Sequence, residues 1–290
     1  MWFILAFGSA VLGAIDVILN KKCLNKVSAA VLTWSLFTLS LPPIAIVALR
    51  GGLPTVNQMF FFGVIGSSLT FVFSKTITNS TLKNNLVSKV YPLTAFNGLF
   101  IYLFGLIFLS ESIRLIPLIG LLSVIFGSYI LNADKAKEGL LKPFKILFTN
   151  KASLLFMFAI LLNSITTIFD KTGINNTQPI NPAFTLLMEN VIMVVMLTVY
   201  LITKEKITWI KEFKTNFGIL FINSLIYSVV SLLVFMAFTD GPVALVMAVK
   251  RLQIFFILIL GYLFFKDKPT KYAWIASFIM AFGVFLIKVG

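Results

Sequence analysis

Runs of eighteen or more mostly apolar residues recur along this chain from one end to the other, and no other feature restricts its fold as severely. Inside hydrocarbon there is no water to satisfy backbone N–H and C=O groups, so only helices and closed barrels can cross a bilayer. A spanning helix needs about 20 apolar residues, whereas a barrel strand alternates apolar and polar residues over about ten. The runs here do not alternate. Ten can be counted, at 2–20, 28–49, 57–76, 85–109, 114–133, 152–170, 182–203, 216–238, 243–265 and 271–288. The fold class this predicts is an all-α membrane protein of ten transmembrane helices.

Composition excludes the main competitors. A chain of 290 residues that is 59% hydrophobic and 12% charged, with a mean hydropathy of +1.00, does not describe a soluble globule. The formal charge of +14 suggests nucleic acid at first sight. Most of the lysines, however, sit in short connectors, where positive charge retains loops on the cytoplasmic side. Cys23 is the only cysteine and histidine is absent, so no internal disulfide and no Cys/His metal cluster is available. Any proton coupling must therefore use carboxylates. The opening MetTrpPheIleLeuAlaPhe has neither a basic n-region nor a small-residue cleavage site, so the first span is read as retained. No HisGluxxHis motif, GlyxSerxGly elbow or facing catalytic Asp pair is present, which argues against an enzyme.

Turn residues mark the connectors: Gly51-Gly52 with Pro54, Asn84-Asn85, Asn175-Asn176 with Pro179 and Pro182, and Asp240-Gly241-Pro242. The longest, Asp134 to Lys151, carries Lys135, Lys137, Lys142, Lys145 and Lys151, with Leu140, Leu141, Phe144, Leu147 and Phe148 at helical spacing. It is either an interfacial amphipathic helix or a solvated linker between two halves. Those halves, 1–133 and 152–290, echo each other. A shift of 156 residues places Gly105 on Gly261, Glu111 on Asp267 and Gly127 on Gly283. Five spans per half is an odd number, so the second half must enter the bilayer inverted, the arrangement of secondary transporters whose substrate site lies between repeats. Sixteen basic residues fall on one side of the membrane and four on the other. The charge rule then puts the sixteen in the cytoplasm and both termini outside, in a cytoplasmic (inner or plasma) membrane.

The ninth run, Val243 to Phe265, contains Lys250 and Arg251 in its first half. At about 1.5 Å per residue the pair lies about 10–12 Å inside a core about 30 Å thick. Insertion scales put the cost of one such charge near 2.5–3.5 kcal/mol. A cavity, partner or ligand has to offset it. On one continuous helix Lys250, Met247, Gln253, Ile254 and Gly261 share a stripe, with Arg251 about 100° away. An ammonium beside a guanidinium suits phosphate or carboxylate. Alternatively, protein carboxylates satisfy the pair, or Lys250 snorkels. Lys89, near the start of the fourth run and followed by Tyr91-Pro92, is a third candidate cation, with the same snorkelling alternative. Lys75, at the end of the third run, is expected to snorkel to the interface.

Three carboxylates lie within the runs. Glu189, about two turns inside the seventh, is the deepest; it either pairs with Arg251 or titrates as a coupling group. Asp16, late in the first, and Asp170, late in the sixth, read as gate or interface groups. Asn97, Asn163, Tyr102, Tyr227 and Ser231 can line a cavity or bond a neighbouring helix. Gly8, Gly13, Gly63 and Gly66 permit close helix approach, and Pro42-Pro43 and Pro92 can kink their helices.

TyrProLeu at 91–93, GlyLeuIlePheLeuSerGluSerIle at 105–113 and its echo GlyTyrLeuPhePheLysAspLysPro at 261–269 resemble the EamA-type drug/metabolite transporter superfamily. Asp267 stands where glutamate is more usual. The resemblance spans the chain and implies ten helices in two inverted five-helix halves, with cytoplasmic termini, opposite to the charge count. Lys250-Arg251 is similar to the Lys-Arg pair by which plastid triose-phosphate translocators hold substrate phosphate, and Lys89 to their further phosphate-binding lysine. This implies a carrier of a small organic anion, with a phosphorylated metabolite as the narrower case, working by alternating access. The substrate-binding set expected is Lys250, Arg251, Lys89, Gln253, Tyr91 and Asn97, with Glu189 and Asp16 for coupling or ion pairing. Amino-acid exporters of the superfamily also carry a basic residue in the ninth helix, so an exporter of amphiphilic metabolites is the first alternative. A flippase for a phosphorylated lipid carrier is the second. The partners expected are a small anionic solute and the lipid bilayer, with no nucleic acid and no cofactor, and a monomer suffices.

Overall fold

The computed structural model describes residues 1–84, 96–133, 151–204, 208–265 and 271–290. The helices in chain order are α1 (Trp2–Leu24), α2 (Ala29–Ala48), α3 (Gln58–Asn84), α4 (Phe96–Phe108), α5 (Leu115–Ala133), α6 (Lys151–Asn175) and α7 (Pro182–Lys204). They continue with α8 (Thr208–Thr215), α9 (Phe217–Asp240), α10 (Val243–Lys250), α11 (Gln253–Phe265) and α12 (Lys271–Val289). Among the described residues, five helical stretches are long and apolar enough to cross a membrane: Trp2–Leu24, Ala29–Ala48, Leu154–Asn175, Pro182–Lys204 and Phe217–Asp240. Their outer faces carry large apolar side chains, such as Ile4 and Ile46, each 73% exposed. Surfaces of that kind need lipid rather than water around them. The chain is an all-α, multi-pass membrane protein. The central connector, 134–150, lies outside the described residues, as do Lys89 and Tyr91-Pro92.

The chain divides into two compact units, Met1–Leu69 with Phe169–Asp240, and Thr70–Ile168 with Gly241–Gly290. Each draws helices from both halves of the sequence. In the first unit α1 packs on α9, and α2 packs on α7 and α9. A two-residue antiparallel ladder sets Thr55 opposite Gln178 and Val56 opposite Thr177, beside a 2.8 Å bond from Asn57 Nδ2 to Asn176 Oδ1. In the second unit α5 lies along α12, and α10 packs on α4. In both units, then, runs five apart in chain order lie against each other: second with seventh, fourth with ninth, fifth with tenth.

The α5–α12 contact depends on absent side chains. A Cβ built on Gly120 falls 2.5 Å from Gly283 O, and one on Gly283 falls 2.6 Å from Gly120 O. No real Cβ fits there, so glycine at both positions sets the approach of the two backbones.

Short helix α8 is a departure from the sequence reading, which treated this stretch as connector. Trp209 and Phe213, one turn apart, meet Trp34 of α2 edge-on at 5.1 and 5.2 Å between ring centroids. Glu212 Oε2 accepts the Ser28 N–H at 2.9 Å, at the N-cap of α2, where the Ser28 hydroxyl accepts from Val31 N. Polar caps and an aromatic contact thus fix a segment whose charge resembles that of a loop.

Candidate functional site

The ninth run is not one helix. Arg251 closes α10 with φ −60° and ψ −22°, values typical of a 3₁₀ turn. The Arg251 N–H approaches Met247 O at 3.2 Å and Ala248 O at 3.1 Å, Leu252 N reaches Val249 O at 3.0 Å, and Ile254 N reaches Arg251 O at 3.0 Å. These i→i+3 bonds tighten the chain for one turn and α11 then restarts at Gln253. Neither proline nor glycine stands at the break. The single stripe expected for Lys250, Met247, Gln253, Ile254 and Gly261 therefore does not run through it. Lys250 ends α10, where the helix dipole favours a cation, Arg251 occupies the turn, and Gln253 opens the next helix.

Arg251 lines a cavity of about 200 Å³ within the second unit, together with Lys75, Asn97, Asn163, Ser74, Phe71 and Phe156. No acidic residue is among its lining residues. Arg251 also borders, with Met247, Ala248, Asn97 and Gly98, a recess of about 10 Å³, room for about one water. Asn97, on the first turn of α4 and 9% exposed, is fixed from behind: the Ser164 hydroxyl lies 2.7 Å from Asn97 Oδ1 and donates to it. That leaves the amide N–H groups as donors. The Ser74 hydroxyl donates to Ala159 O at 2.8 Å, which ties α3 to α6 at the cavity. The structure thus unites Arg251 and Asn97 with Asn163, one of the amides expected to line a cavity.

Lys75 requires a correction. The third run seems to end at residue 76, but α3 continues to Asn84. Lys75 is thus well inside a helix and on the cavity wall rather than at a helix end. Lys250 and Gln253 are not among the residues lining either cavity.

The acidic connector acquires a role in the same unit. Glu111 Oε2 accepts the Val243 N–H at 2.9 Å, at the start of α10, whose N-cap, Pro242, offers no side-chain cap. The carboxylate reaches this position past Gly105, where an added Cβ would stand 3.2 Å from Glu111 Oε2 and 3.5 Å from Val243 Cγ2. The chain turns between them at Ser110, with φ 54°. The Gly-to-Glu spacing in 105–113 is therefore the capping device of the helix that ends in the cation pair.

The carboxylates gather in the first unit. Glu189, on α7, is 2% exposed, and Asp170, on α6, is 9% exposed. The Ser67 hydroxyl, from α3, donates to Asp170 Oδ1 at 2.5 Å. Glu189 Oε1 has no hydrogen-bond partner. Asp16 belongs to a separate chain: Asn223 Nδ2 donates to Asn20 Oδ1 at 3.0 Å, and Asn20 Nδ2 to Asp16 Oδ2 at 2.8 Å. Arg251 belongs to the second unit and Glu189 to the first. Lys171, beside Asp170 and buried, donates to the carbonyls of Phe238 and Thr239 at the end of α9. Sequence reasoning missed Ser67, because a serine in an apolar helix carries no signal of its own.

Comparison with known proteins fits this picture. No curated protein matches the chain. Among solved structures, one named only "Crystal structure of protein" aligns over 99% of this chain and 98% of its own, with a TM-score of 0.69 at 15% identity. At that identity the likeness speaks for the fold alone. The second half of the chain, residues 150–289, matches the EamA-like transporter family.

Proposed function

We propose that the chain is a secondary transporter that moves a small organic anion across the membrane by alternating access. Its two inverted five-helix repeats, 1–133 and 152–290, would be joined by the basic connector 134–151. The family matched by residues 150–289 supports a carrier of small molecules. The cavity supports the substrate class. Arg251 and Lys75 line it with two side-chain amides and no carboxylate among the lining residues, a donor set suited to phosphate or carboxylate. An amino-acid exporter would also have to receive an ammonium group, and the lining residues offer no acidic partner for one, so the anion reading is preferred. Phosphorylated solutes are the narrower form of this reading, with Lys89 as a further contact.

The test is uptake of inorganic phosphate, a sugar phosphate and a neutral amino acid into proteoliposomes. Loss of a hydrogen bond to a charged group, about 1.5–3 kcal/mol, weakens binding about 10- to 150-fold. Arg251→Gln should therefore reduce anion uptake by that order while leaving the protein monodisperse. Undiminished uptake by the folded variant rejects the site.

A further inference from the structure

We propose that α8 and the chain ends packed around it form a docking surface for an anionic phospholipid at one face of the membrane. Three contacts gather those ends. The α1–α2 connector reaches α8 through the Ser28 N–H bond to Glu212 Oε2 at 2.9 Å. Near the end of α1, Asn20 Oδ1 accepts from Asn223 Nδ2 of α9 at 3.0 Å. The last turns of α7 supply Leu201 to the apolar cluster of Cys23, Val27 and Leu220, against which Trp209 and Phe213 of α8 pack. Lys22, Lys26, Lys204, Lys211 and Lys214 are all exposed at this end. Glu212, the carboxylate of α8, already accepts the Ser28 N–H, and the cations around it outnumber it.

The neighbouring helices set the depth. α8 joins α7 to α9, both long and apolar enough to span, so it lies where hydrocarbon gives way to headgroups. The indoles of Trp34 and Trp209, edge-on at 5.1 Å, are the amphipathic rings that favour that level. From α8 an aromatic line runs onto the outside of α9. Phe213 meets Phe217 edge-on at 5.6 Å, and Phe217 stacks on Phe221 at 5.8 Å. Phe217 is 46% and Phe221 41% exposed, and a Cβ built on Gly218 between them meets nothing within 4 Å. Open apolar surface therefore starts three residues after the exposed ammonium of Lys214. A phospholipid has the matching form: an acyl chain to lie on the phenylalanines and a phosphate for the lysines, which hold phosphate as point charges. A zwitterionic headgroup brings its own cation to the patch, whereas a net-negative one gains about five-fold in affinity per lysine near the surface.

Quenching of tryptophan fluorescence by brominated acyl chains reads the preference in proteoliposomes of the full-length protein. The chain has four tryptophans, and Trp2→Phe with Trp274→Phe leaves Trp34 and Trp209 as reporters. In that background brominated phosphatidylglycerol should quench at lower mole fraction than brominated phosphatidylcholine. Lys211→Gln and Lys214→Gln should each lower the preference about five-fold. Arg50→Gln should leave it unchanged, because exposed Arg50 lies past the far end of α2, a 20-residue helix about 30 Å long. Raising salt from about 0.1 to 1 M, which shortens the Debye length from about 10 to 3 Å, should weaken it. Equal quenching by the two lipids, or a preference indifferent to salt, overturns the proposal without recourse to any lysine variant. A preference unchanged in both lysine variants, or lowered as much by Arg50→Gln, also overturns it. So does displacement of the brominated lipid by inorganic phosphate at matched ionic strength, which assigns the patch to a free anion.

Discussion

Removal of the Glu111 carboxylate tests whether the acidic connector holds the start of α10. The helix begins after Pro242, which supplies no side-chain cap. Val246 N is satisfied by Pro242 O, and Val243 N by Glu111 Oε2 at 2.9 Å. In Glu111→Ala that N–H loses its charged acceptor. Loss of a helix cap costs about 0.5–2 kcal/mol, and hydrogen bonds to charged groups contribute about 1.5–3 kcal/mol. Glu111 is only partly buried, which favours the lower end, about 1–2 kcal/mol. For large domains each kcal/mol lowers the thermal midpoint by about 2–4 °C, so a fall of about 2–8 °C is expected in detergent. Glu111→Gln keeps an acceptor oxygen without the charge and should fall less. Gly105→Ala places a Cβ 3.2 Å from Glu111 Oε2 and should disturb the same bond, so its effect should not add to that of Glu111→Ala in a double-mutant cycle. A midpoint unchanged in Glu111→Ala, or full additivity with Gly105→Ala, refutes the capping argument.

Other contacts allow equally direct checks. Gly120→Ala forces a methyl to within 2.5 Å of Gly283 O; overpacking of that kind costs about 1–3 kcal/mol, so the variant should melt earlier than wild type, and equal melting would mean that the α5–α12 approach is not set by glycine. Glu212→Ala releases the Ser28 N–H at a cost of about 0.5–2 kcal/mol. Limited proteolysis should then cut first around α8, and an unchanged cleavage pattern would assign the docking of α8 to Trp209 and Phe213 alone.

The helical content and most helix positions were legible because hydrocarbon imposes one backbone solution on each long apolar run. Ends were less so. The polar stretch Ser74-Lys75-Thr76 reads as the exit of a span, yet α3 carries it onward to Asn84, which is how Lys75 escaped notice as a cavity residue. Helix α8 failed for the opposite reason: its lysines suggest a loop, and the only clue was Trp209 and Phe213 at a spacing of four. The break at Arg251–Leu252 had no local signal, since chains usually mark such points with proline or glycine and this one does not.

Two magnitudes explain which parts of a buried site a membrane sequence exposes. A charged residue at the middle of a span costs about 2.5–3.5 kcal/mol on insertion scales, enough that Arg251 and Glu189 stand out against the residues around them. A hydroxyl between helices contributes only about 0.6 kcal/mol on average, and its insertion is nearly neutral, so Ser67 is indistinguishable by type from Ser40 or Ser228. Yet Ser67 is the residue that donates to the buried Asp170 carboxyl, and only the approach of α3 to α6 brings its oxygen there. Costly residues reveal where a site is. The inexpensive ones that bond to the costly ones become identifiable only when packing brings them into contact.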